Sequence, residues 1–537
     1  MPLLFVLLAF FIACAAPVWA YNPPEIIGIL TSPEESQQGF PGVFCCVGDQ
    51  NGDGYDDLVV NQDRFPFDSL SFVYLFNGGE NVIDQPAFTW STYEQGLTIG
   101  REMVYLGQVD NDVPRVAFLS VKRLEPYVGL IAADQYRIGP EPSNQPVISM
   151  RGINWQSAPI ISTSFGDRPK DFNGDGWDDL IMVRQTDTSP YLQAYWGGED
   201  NDSIPDWSVY LDSVPWNSSS AVGICGGFDV NGDEVDDILI HTLEGAGVLV
   251  GYYYLFLGGN PPDTIPALRI CANDYDLRDV FSLLPDVNGD GYDDWGISWL
   301  NVRGIEERSE GGIKVFFGGE EPDAEPDLTL SAIPRTGLEI RGICGGDFNA
   351  DGIGDIVFTD VGWFGQYDLG HMSIYLGKRW INEQEEPDIY ISNMSRVYGY
   401  DGAYDIGAVG DYNGDRADDF VAYLADFDSN LYPLGIFAGN RDWRVDVPEE
   451  PAIPEKLELN LSVSPNPFNA TTTIRYSTPP LGDCELTILD ISGREIAQAS
   501  VSAGDGVYPW TAPESGVYIV RLTNGDRQTA RKLVCVK

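Results

Sequence analysis

Histidine is almost missing from this chain. Only His241 and His371 occur in 537 residues, so imidazole bases, Ser-His-Asp triads and His-rich zinc sites are poorly supplied. Positive charge is scarce too: 31 Lys and Arg face 82 Asp and Glu, a net charge of −51. Such a chain repels nucleic acid and anionic membrane surfaces. No C-x-x-C pair occurs among the eight cysteines, which removes the usual motif of thiolate metal sites and dithiol redox chemistry. Beyond the first twenty residues no stretch is apolar enough to span a bilayer.

Those first twenty residues read as a signal peptide. Leu3 to Ala16 is an apolar run of h-region length, and Val18-Trp19-Ala20 offers an A-x-A-like cleavage site, although a basic n-region is lacking. Cys14 sits in a poor lipoprotein box. The expected mature protein is exported and soluble, with no transmembrane segment. Seven cysteines remain in it: Cys45, Cys46, Cys225, Cys271, Cys344, Cys484 and Cys535. Cys45 and Cys225, and likewise Cys46 and Cys344, stand at matching distances before an acidic loop, as small buried fillers would. Cys484 and Cys535 share the C-terminal region, and their pairing is left open.

Glycine (59), proline (36) and aromatic residues (12%) are abundant, and 43% of residues are hydrophobic. That balance suits many short strands and tight turns around a large core. Strong negative charge ordinarily serves solubility, but here the acids are concentrated in a repeat. Six nine-residue segments align, with oxygen side chains at positions 1, 3, 5 and 9 and a potential carbonyl donor at 7. They are Asp49, Asn51, Asp53, Tyr55 and Asp57; Asp171, Asn173, Asp175, Trp177 and Asp179; Asp229, Asn231, Asp233, Val235 and Asp237; Asp286, Asn288, Asp290, Tyr292 and Asp294; Asp347, Asn349, Asp351, Ile353 and Asp355; and Asp411, Asn413, Asp415, Ala417 and Asp419. Successive starts are 122, 58, 57, 61 and 64 residues apart. The doubled first gap holds a decayed copy, Gln108-Val-Asp110-Asn-Asp112, which makes seven units of about 60 residues.

A second motif keeps the same beat. Apolar strands end in glycine turns at Gly78-Gly79, Gly197-Gly198, Gly258-Gly259, Gly318-Gly319, Gly377 and Gly439, most of them followed by a Pro-flanked strand such as Pro205-Asp-Trp-Ser-Val. Each unit therefore reads as four short antiparallel strands, the content of a propeller blade. The expected fold is all-β: a seven-bladed β-propeller over residues 21–444, with an open solenoid as the alternative. Pro24–Leu30 and Asp442–Val447 both resemble outer strands. Either could complete the seventh blade, and the choice stays open.

Three oxygen side chains on one side of a tight turn, with glycine at position 6 to reverse the chain, follow the logic of an oxygen-cage calcium site. No loop has the Glu at position 12 of an EF-hand, and a strand follows in place of a helix. Two like charges about 4 Å apart repel by roughly 4 kcal/mol at an effective dielectric near 20, so a cation is expected among the carboxylates. A plain Asn-Gly-Asp-Gly turn would not need Asp at positions 1, 5 and 9 in every copy. Up to six calcium ions are expected. The loops at Asp229 and Asp411 should bind more weakly, because Glu234 and Arg416 replace the position-6 glycine, and the copy at Gln108 should bind none.

These motifs resemble the FG-GAP repeats of the integrin α-subunit propeller and of related bacterial proteins, over residues 24–444. The resemblance implies calcium on the loops and a binding or adhesion role. Neither an RGD ligand motif nor an inserted metal-dependent domain is visible.

Residues 445–456 form a Pro- and Glu-rich linker. Residues 457–537 show about seven short strands with turns at Ile491-Ser-Gly493 and Thr523-Asn-Gly525, the pattern of an immunoglobulin-like sandwich. Ser464-Pro-Asn-Pro-Phe-Asn469, Ile488-Leu-Asp-Ile-Ser-Gly-Arg-Glu495 and Ser515-Gly-Val-Tyr-Ile-Val-Arg-Leu522 resemble a type A sorting domain of the type IX secretion system. That resemblance implies contact with the secretion machinery and export across a bacterial outer membrane, followed by release or surface attachment.

The leading expectation is a secreted or cell-surface, non-catalytic recognition protein whose calcium ions rigidify the blades and whose variable loops meet an extracellular protein or glycan. The competing classes are a polysaccharide-active glycosidase or lyase, for which two carboxylates would suffice, and a structural spacer of a surface layer.

Overall fold

Glycine turns and acidic loops cut the chain into short strands, and the strands pair with their neighbours in sequence. The computed structural model describes residues 22–34, 40–62, 71–91, 97–100, 103–109, 114–124, 127–138, 141–153, 160–161, 170–185, 190–198, 202–210, 223–244, 250–301, 310–332, 338–362, 370–379, 386–391, 394, 402–425, 433–443, 460–477, 484–491, 493–501, 506–524 and 527–537. The expected signal peptide, the linker 445–456, and Asp110 and Asp112 of the decayed copy lie outside the described residues. The chain divides into two compact units, Met1–Val445 and Asp446–Lys537.

Among its described residues the first unit holds seven antiparallel sheets, six of four strands and one of five. Sheet one is Phe44–Gly48, Asp57–Gln62, Phe72–Phe76 and Phe88–Ser91. Sheet two is Leu97–Thr98 and Met103–Gly107, which both pair with Arg115–Leu124, then Tyr127–Arg137 and Ile148–Ile153. Sheet three is Ile160–Ile161, Leu180–Gln185, Pro190–Tyr195 and Trp207–Tyr210; sheet four is Gly223–Phe228, Asp237–Glu244, Val250–Phe256 and Leu268–Cys271. Sheet five is Leu277–Leu284, Asp294–Asn301, Glu310–Phe316 and Leu328–Ser331; sheet six is Leu338–Gly346, Asp355–Gly362, His371–Tyr375 and Ile389–Ile391. Sheet seven takes Gly402–Gly410, Asp419–Ala425 and Leu434–Phe437 from its own repeat, and Ile26–Leu30 from the N-terminal end as its outer strand.

The open choice between the two termini therefore resolves in favour of the N-terminal strand. The other candidate serves as an anchor: Trp443 is buried between sheets six and seven, and its indole N–H donates to the Asn22 carbonyl at 3.0 Å.

Apolar residues on both faces of these strands are covered by neighbouring sheets. One apolar cluster joins each consecutive pair, for example Val59, Trp90, Val116 and Phe118 between sheets one and two. Sheets seven and one share a cluster as well, in which Leu30, Leu434 and Ile436 meet Phe44, Leu58 and Tyr74. Fully burying each such side chain stabilises the fold by about 1.5–3 kcal/mol. Cys45, Cys46, Cys225 and Cys344 lie inside these clusters without forming disulfides, as their matching positions imply.

The ends of the first strands are shaped to launch the loops. A register shift falls at Cys46/Gly48, Tyr105/Gly107, Gly226/Phe228 and Ala408/Gly410. Gly48, Gly107, Gly227 and Gly410 there have φ of 63°, 59°, 95° and 66°, the left-handed geometry of a glycine bulge. The bulge turns the chain out of the sheet directly before position 1.

The second unit has seven strands among its described residues. Asn460–Ser464, Thr471–Ser477 and Gly506–Thr511 form one sheet; Glu495–Val501, Cys484–Asp490, Gly516–Asn524 and Arg527–Cys535 form the other. Leu461, Ile474 and Trp510 of the first pack on Leu486, Ile488, Val520 and Leu533 of the second. Cys484 pairs across to Asn524, whereas Cys535 pairs to Gly516, eight residues away along the same strand. Both are buried and no disulfide joins them.

Candidate metal loops and the sorting module

Each acidic loop lies between the first and second strands of its sheet and is tied by its own backbone N–H groups. In loop one, Asp49 accepts from Gly52 and Asp53 through Oδ1 (2.7 and 3.1 Å) and from Gly54 through Oδ2 (2.7 Å). Asn51 Oδ1 accepts from Asp53 (2.9 Å), and Asp53 Oδ1 accepts from Tyr55 (3.1 Å). Loops at Asp171, Asp229, Asp286, Asp347 and Asp411 repeat the links from position 6 to position 1, from 5 to 3 and from 7 to 5. The side chains of positions 1, 3 and 5 are thereby gathered into a single turn. In the loops at Asp171, Asp229, Asp286 and Asp347 the position-3 amide also donates to the position-5 carboxylate, at 2.9–3.1 Å.

Position 9 is set apart from that turn. Asp57, Asp237, Asp294, Asp355 and Asp419 open the second strands, Asp179 stands directly before its own, and all six are fully buried. One oxygen of Asp57 accepts the N–H of Gln50 at 3.0 Å and the other that of Gly78 at 3.0 Å. Asp179, Asp237 and Asp294 do the same with position 2 and with the Gly-Gly turn. The repeated glycine turn therefore clasps the carboxylate beneath the loop. At Asp355, Oδ1 accepts from Gly377 at 2.8 Å, and the Phe348 N–H at position 2 also lowers the carboxyl, as in the other loops.

Among the described residues no three carboxylate, thiolate or imidazole groups converge as a ready cage. The donor set nevertheless suits a hard cation, being all oxygen with four carboxylate or amide groups per nine residues. Electrostatics points the same way. Burial pushes the Asp57 carboxyl up to about 6, and those of Asp179, Asp237, Asp294 and Asp419 up to about 8, against the lowering effect of the backbone N–H groups. Charges at positions 1 and 5 of the same loop raise them further. A cation relieves both costs. The position-6 residues carry the strain expected of them: Glu234 and Arg416 have φ of 66° and 75°, where Gly54, Gly176, Gly291 and Gly352 have 91°, 89°, 97° and 85°.

Two further side chains matter, that of position 8, to which the sequence reading gives no role, and that of position 7, of which it uses only the carbonyl. Position 8 reaches across to the preceding sheet. Asp236 Oδ2 accepts the N–H of Asp171 at 2.7 Å, and the Asp236 N–H donates to the Asp171 carbonyl at 3.1 Å. The same double link joins Asp293 to Asp229, Asp418 to Asp347, Asp56 to Asp411 and Asp178 to Gln108. In parallel the second residue of the glycine turn donates to the position-2 carbonyl of the preceding loop, as Gly259 does to Phe172 at 2.9 Å. The Asp-Asp pair at positions 8 and 9, present in five of the six full copies, is the signal that could have found this. Lys170 adjoins the network: burial pushes its ammonium down to about 8, opposed by Cys45, Asp236 and Asp178.

Position 7 packs on the preceding loop as well. A Cβ placed on position-4 Gly232 or Gly174 would meet Tyr292 or Val235 of the next loop, at 2.6 and 3.0 Å.

The second unit has a clasp of its own. Asn466, in the Ser-Pro-Asn-Pro-Phe turn, donates from Nδ2 to the Lys532 carbonyl at 2.7 Å and accepts from the Val534 N–H at 2.8 Å. Phe468 N–H donates to the Val534 carbonyl and Val536 N–H to the Phe468 carbonyl. The signature turn thus holds the last strand in place.

Residues 462–537 match the family model of the secretion system C-terminal sorting domain. This module is a type IX secretion sorting domain. Proteins that carry it are handled by the type IX machinery, so the protein is secreted or displayed at the cell surface. Among the described residues no helix is long and apolar enough to cross a membrane. No curated protein matches the chain.

Solved structures with some similarity include PorZ, an essential surface component of the type IX secretion system of Porphyromonas gingivalis, at 11% identity over 94% of this chain and 76% of that one, with a TM-score of 0.25. A fungal alcohol oxidase in complex with copper has 11% identity over 81% and 99%, with a TM-score of 0.24. An arabinoxylan arabinofuranohydrolase from Bacillus subtilis has 8% identity over 76% and 93%, with a TM-score of 0.21. At such TM-scores none of these likenesses carries an argument about this chain.

Proposed function

We propose that the first unit is a closed seven-bladed propeller of the FG-GAP type, rigidified by calcium on its acidic loops, that serves as a non-catalytic recognition module at the cell surface. The observation that carries the closed ring is the apolar cluster between sheets seven and one, together with the N-terminal strand that completes sheet seven. An open solenoid would leave those two sheets apart and expose their apolar faces.

Calcium is supported by the recurrence of one all-oxygen turn in six sheets, each with a buried position-9 carboxylate beneath it. Positions 1, 3, 5 and 9 would supply side-chain oxygens and position 7 a carbonyl. The cation would supply no chemistry beyond charge neutralisation and cross-linking of each loop. Extracellular modules bind calcium at about 10⁻⁴ to 10⁻³ M, so millimolar calcium adds about 0.4–1.4 kcal/mol per site.

Recognition is favoured over catalysis because the most regular carboxylates already serve the loops. Ligand contact then falls to the variable segments between sheets. A binding screen of the purified propeller against glycans and surface proteins, run with calcium and with chelator, tests this. Calcium-dependent capture supports recognition. A melting temperature unaffected by chelator rejects the metal, and turnover of a polysaccharide rejects the non-catalytic role.

A further inference from the structure

We infer that the position-8 carboxylates are positioning residues for the cation of the neighbouring loop, so that a metal site that receives one is completed by the next sheet and not by its own sheet alone. The inference rests on the calcium reading of the loops and adds to it which sites are tight.

Position 1 is the first ligand of each proposed site, and its carboxylate is aimed by its backbone. In loop three both peptide groups flanking Asp171 are fixed from sheet four. Asp236 Oδ2 holds the Asp171 N–H at 2.7 Å, and the Asp236 N–H holds the Asp171 carbonyl at 3.1 Å. Gly259 of the same sheet holds the Phe172 carbonyl at 2.9 Å. With both neighbouring peptides pinned, the Asp171 side chain leaves a fixed point in a fixed direction. It then gathers the N–H groups of Asp175 and Gly176. A ligand held in this way pays less ordering entropy when the metal binds. The clamp also brings a carboxylate to the edge of the loop, which adds attraction for a cation.

The clamp is uneven round the unit. Loops three, four, six and seven receive a carboxylate, from Asp236, Asp293, Asp418 and Asp56. For loop five the matching residue is Gly354, which gives only its N–H to the Asp286 carbonyl. For loop one it is Arg115, buried and cationic. Loops four and seven have the clamp but strained residues at position 6, Glu234 and Arg416. Only loops three and six combine the carboxylate clamp with glycine at position 6, so these are the tightest sites.

Loop three carries its own reporter. Trp177, at position 7 of this loop, donates its backbone N–H to Asp175, and its indole lies against Gly198 of the glycine turn in the same sheet. Terbium replaces calcium and is sensitised by nearby indole, so the part of the terbium emission lost in Trp177→Phe reports loop three in the full mature chain. Asp236→Ala is expected to weaken terbium at this site by about tenfold, the low end of what loss of an outer partner of a metal ligand costs. Asp236→Asn, which keeps an acceptor for the Asp171 N–H, should recover much of that loss. Asp418→Ala, which acts on loop six, should leave loop three unchanged.

Equal weakening by Asp236→Ala and Asp418→Ala would mean a general loss of stability and overturns the inference. No change in Asp236→Ala overturns it as well, while leaving the calcium sites in place. Absence of Trp177-dependent emission, with no calcium-induced rise in melting temperature in the unsubstituted protein, rejects the calcium reading itself and this inference with it.

Discussion

Tyr55, at position 7 of loop one, covers the Cα of Gly414, at position 4 of loop seven: a Cβ placed there would stand 2.4 Å from the tyrosine ring. The two residues are distant in sequence, yet they join the first repeat to the last. The rule extends along the chain. Where position 7 is Tyr, Val or Ile, position 4 of the preceding loop is glycine; where it is the small Ala417, the preceding loop has Ala350 instead. Gly414→Ala forces both a contact with Tyr55 and a side chain at a φ of 81°, so it is expected to cost about 1–3 kcal/mol. Tyr55→Ala in the same molecule should return only the contact part, which denaturant titration of the two singles and the double resolves. Conversely, Ala417→Tyr should be tolerated only beside Ala350→Gly.

Removal of metal should show a characteristic dependence on pH. In metal-free protein the carboxyls of Asp179, Asp237, Asp294 and Asp419 stand at about 8, raised by burial from 3.8. A carboxyl raised by folding contributes stability that is complete below its unfolded value and lost as pH rises through its folded value. The chelated protein should therefore lose melting temperature steadily between about pH 5 and pH 8. On the proposed calcium reading the cation would compete with those protons, so its stabilising effect should grow over the same interval. Thermal melts with calcium and with chelator at each pH check this. A gap between the two melts that narrows as pH rises would contradict it.

What was legible in the sequence was whatever repeats. Six acidic turns and the glycine turns that follow them announced the strand content and the spacing of the sheets, because each turn is fixed by residues within it. The role of position 8 was not legible. The residue lies beside Asp57, Asp179 and their equivalents in every listing of the loop, but its partner is in another sheet, and only packing brings the two together. The position-9 carboxylates were expected among the ligands, and nothing in the nine-residue pattern told that both oxygens of Asp57 would be clasped from beneath by Gln50 and Gly78. The choice of closing strand was hidden for a similar reason. Ile26–Leu30 and the segment around Trp443 have the same apolar character, and only the ladder to Leu434–Phe437 distinguishes an outer strand from an anchor.

The closing strand can be tested through Leu30. It is fully buried between sheets seven and one, against Leu434 and Phe44. Leu30→Ala removes apolar contact and leaves a cavity, a change expected to cost about 2–5 kcal/mol. Were the N-terminal strand a loose appendage, the same substitution would cost less than about 1 kcal/mol, as for an exposed leucine. Equilibrium unfolding of the mature chain separates the two.

Asn466 offers the corresponding test in the second unit. Its side chain makes two hydrogen bonds to the last strand, one donated to the Lys532 carbonyl and one accepted from the Val534 N–H. Asn466→Ala removes two solvent-exposed hydrogen bonds, each with a net worth of about 0.5–1.5 kcal/mol. Asn466→Asp keeps the acceptor for Val534 but sets a carboxylate against the Lys532 carbonyl, so it should rescue little. The module matches the sorting family over residues 462–537, and a recognised signal must present its terminal strand in one arrangement. Export should therefore fall in step with the stability of the isolated strand clasp and not with that of the first unit. Measuring secreted protein in Asn466→Ala and Leu30→Ala cells distinguishes them. If the alanine at 466 destabilises the module and secretion is unchanged, the turn serves the fold of the domain and takes no part in presenting it to the secretion machinery.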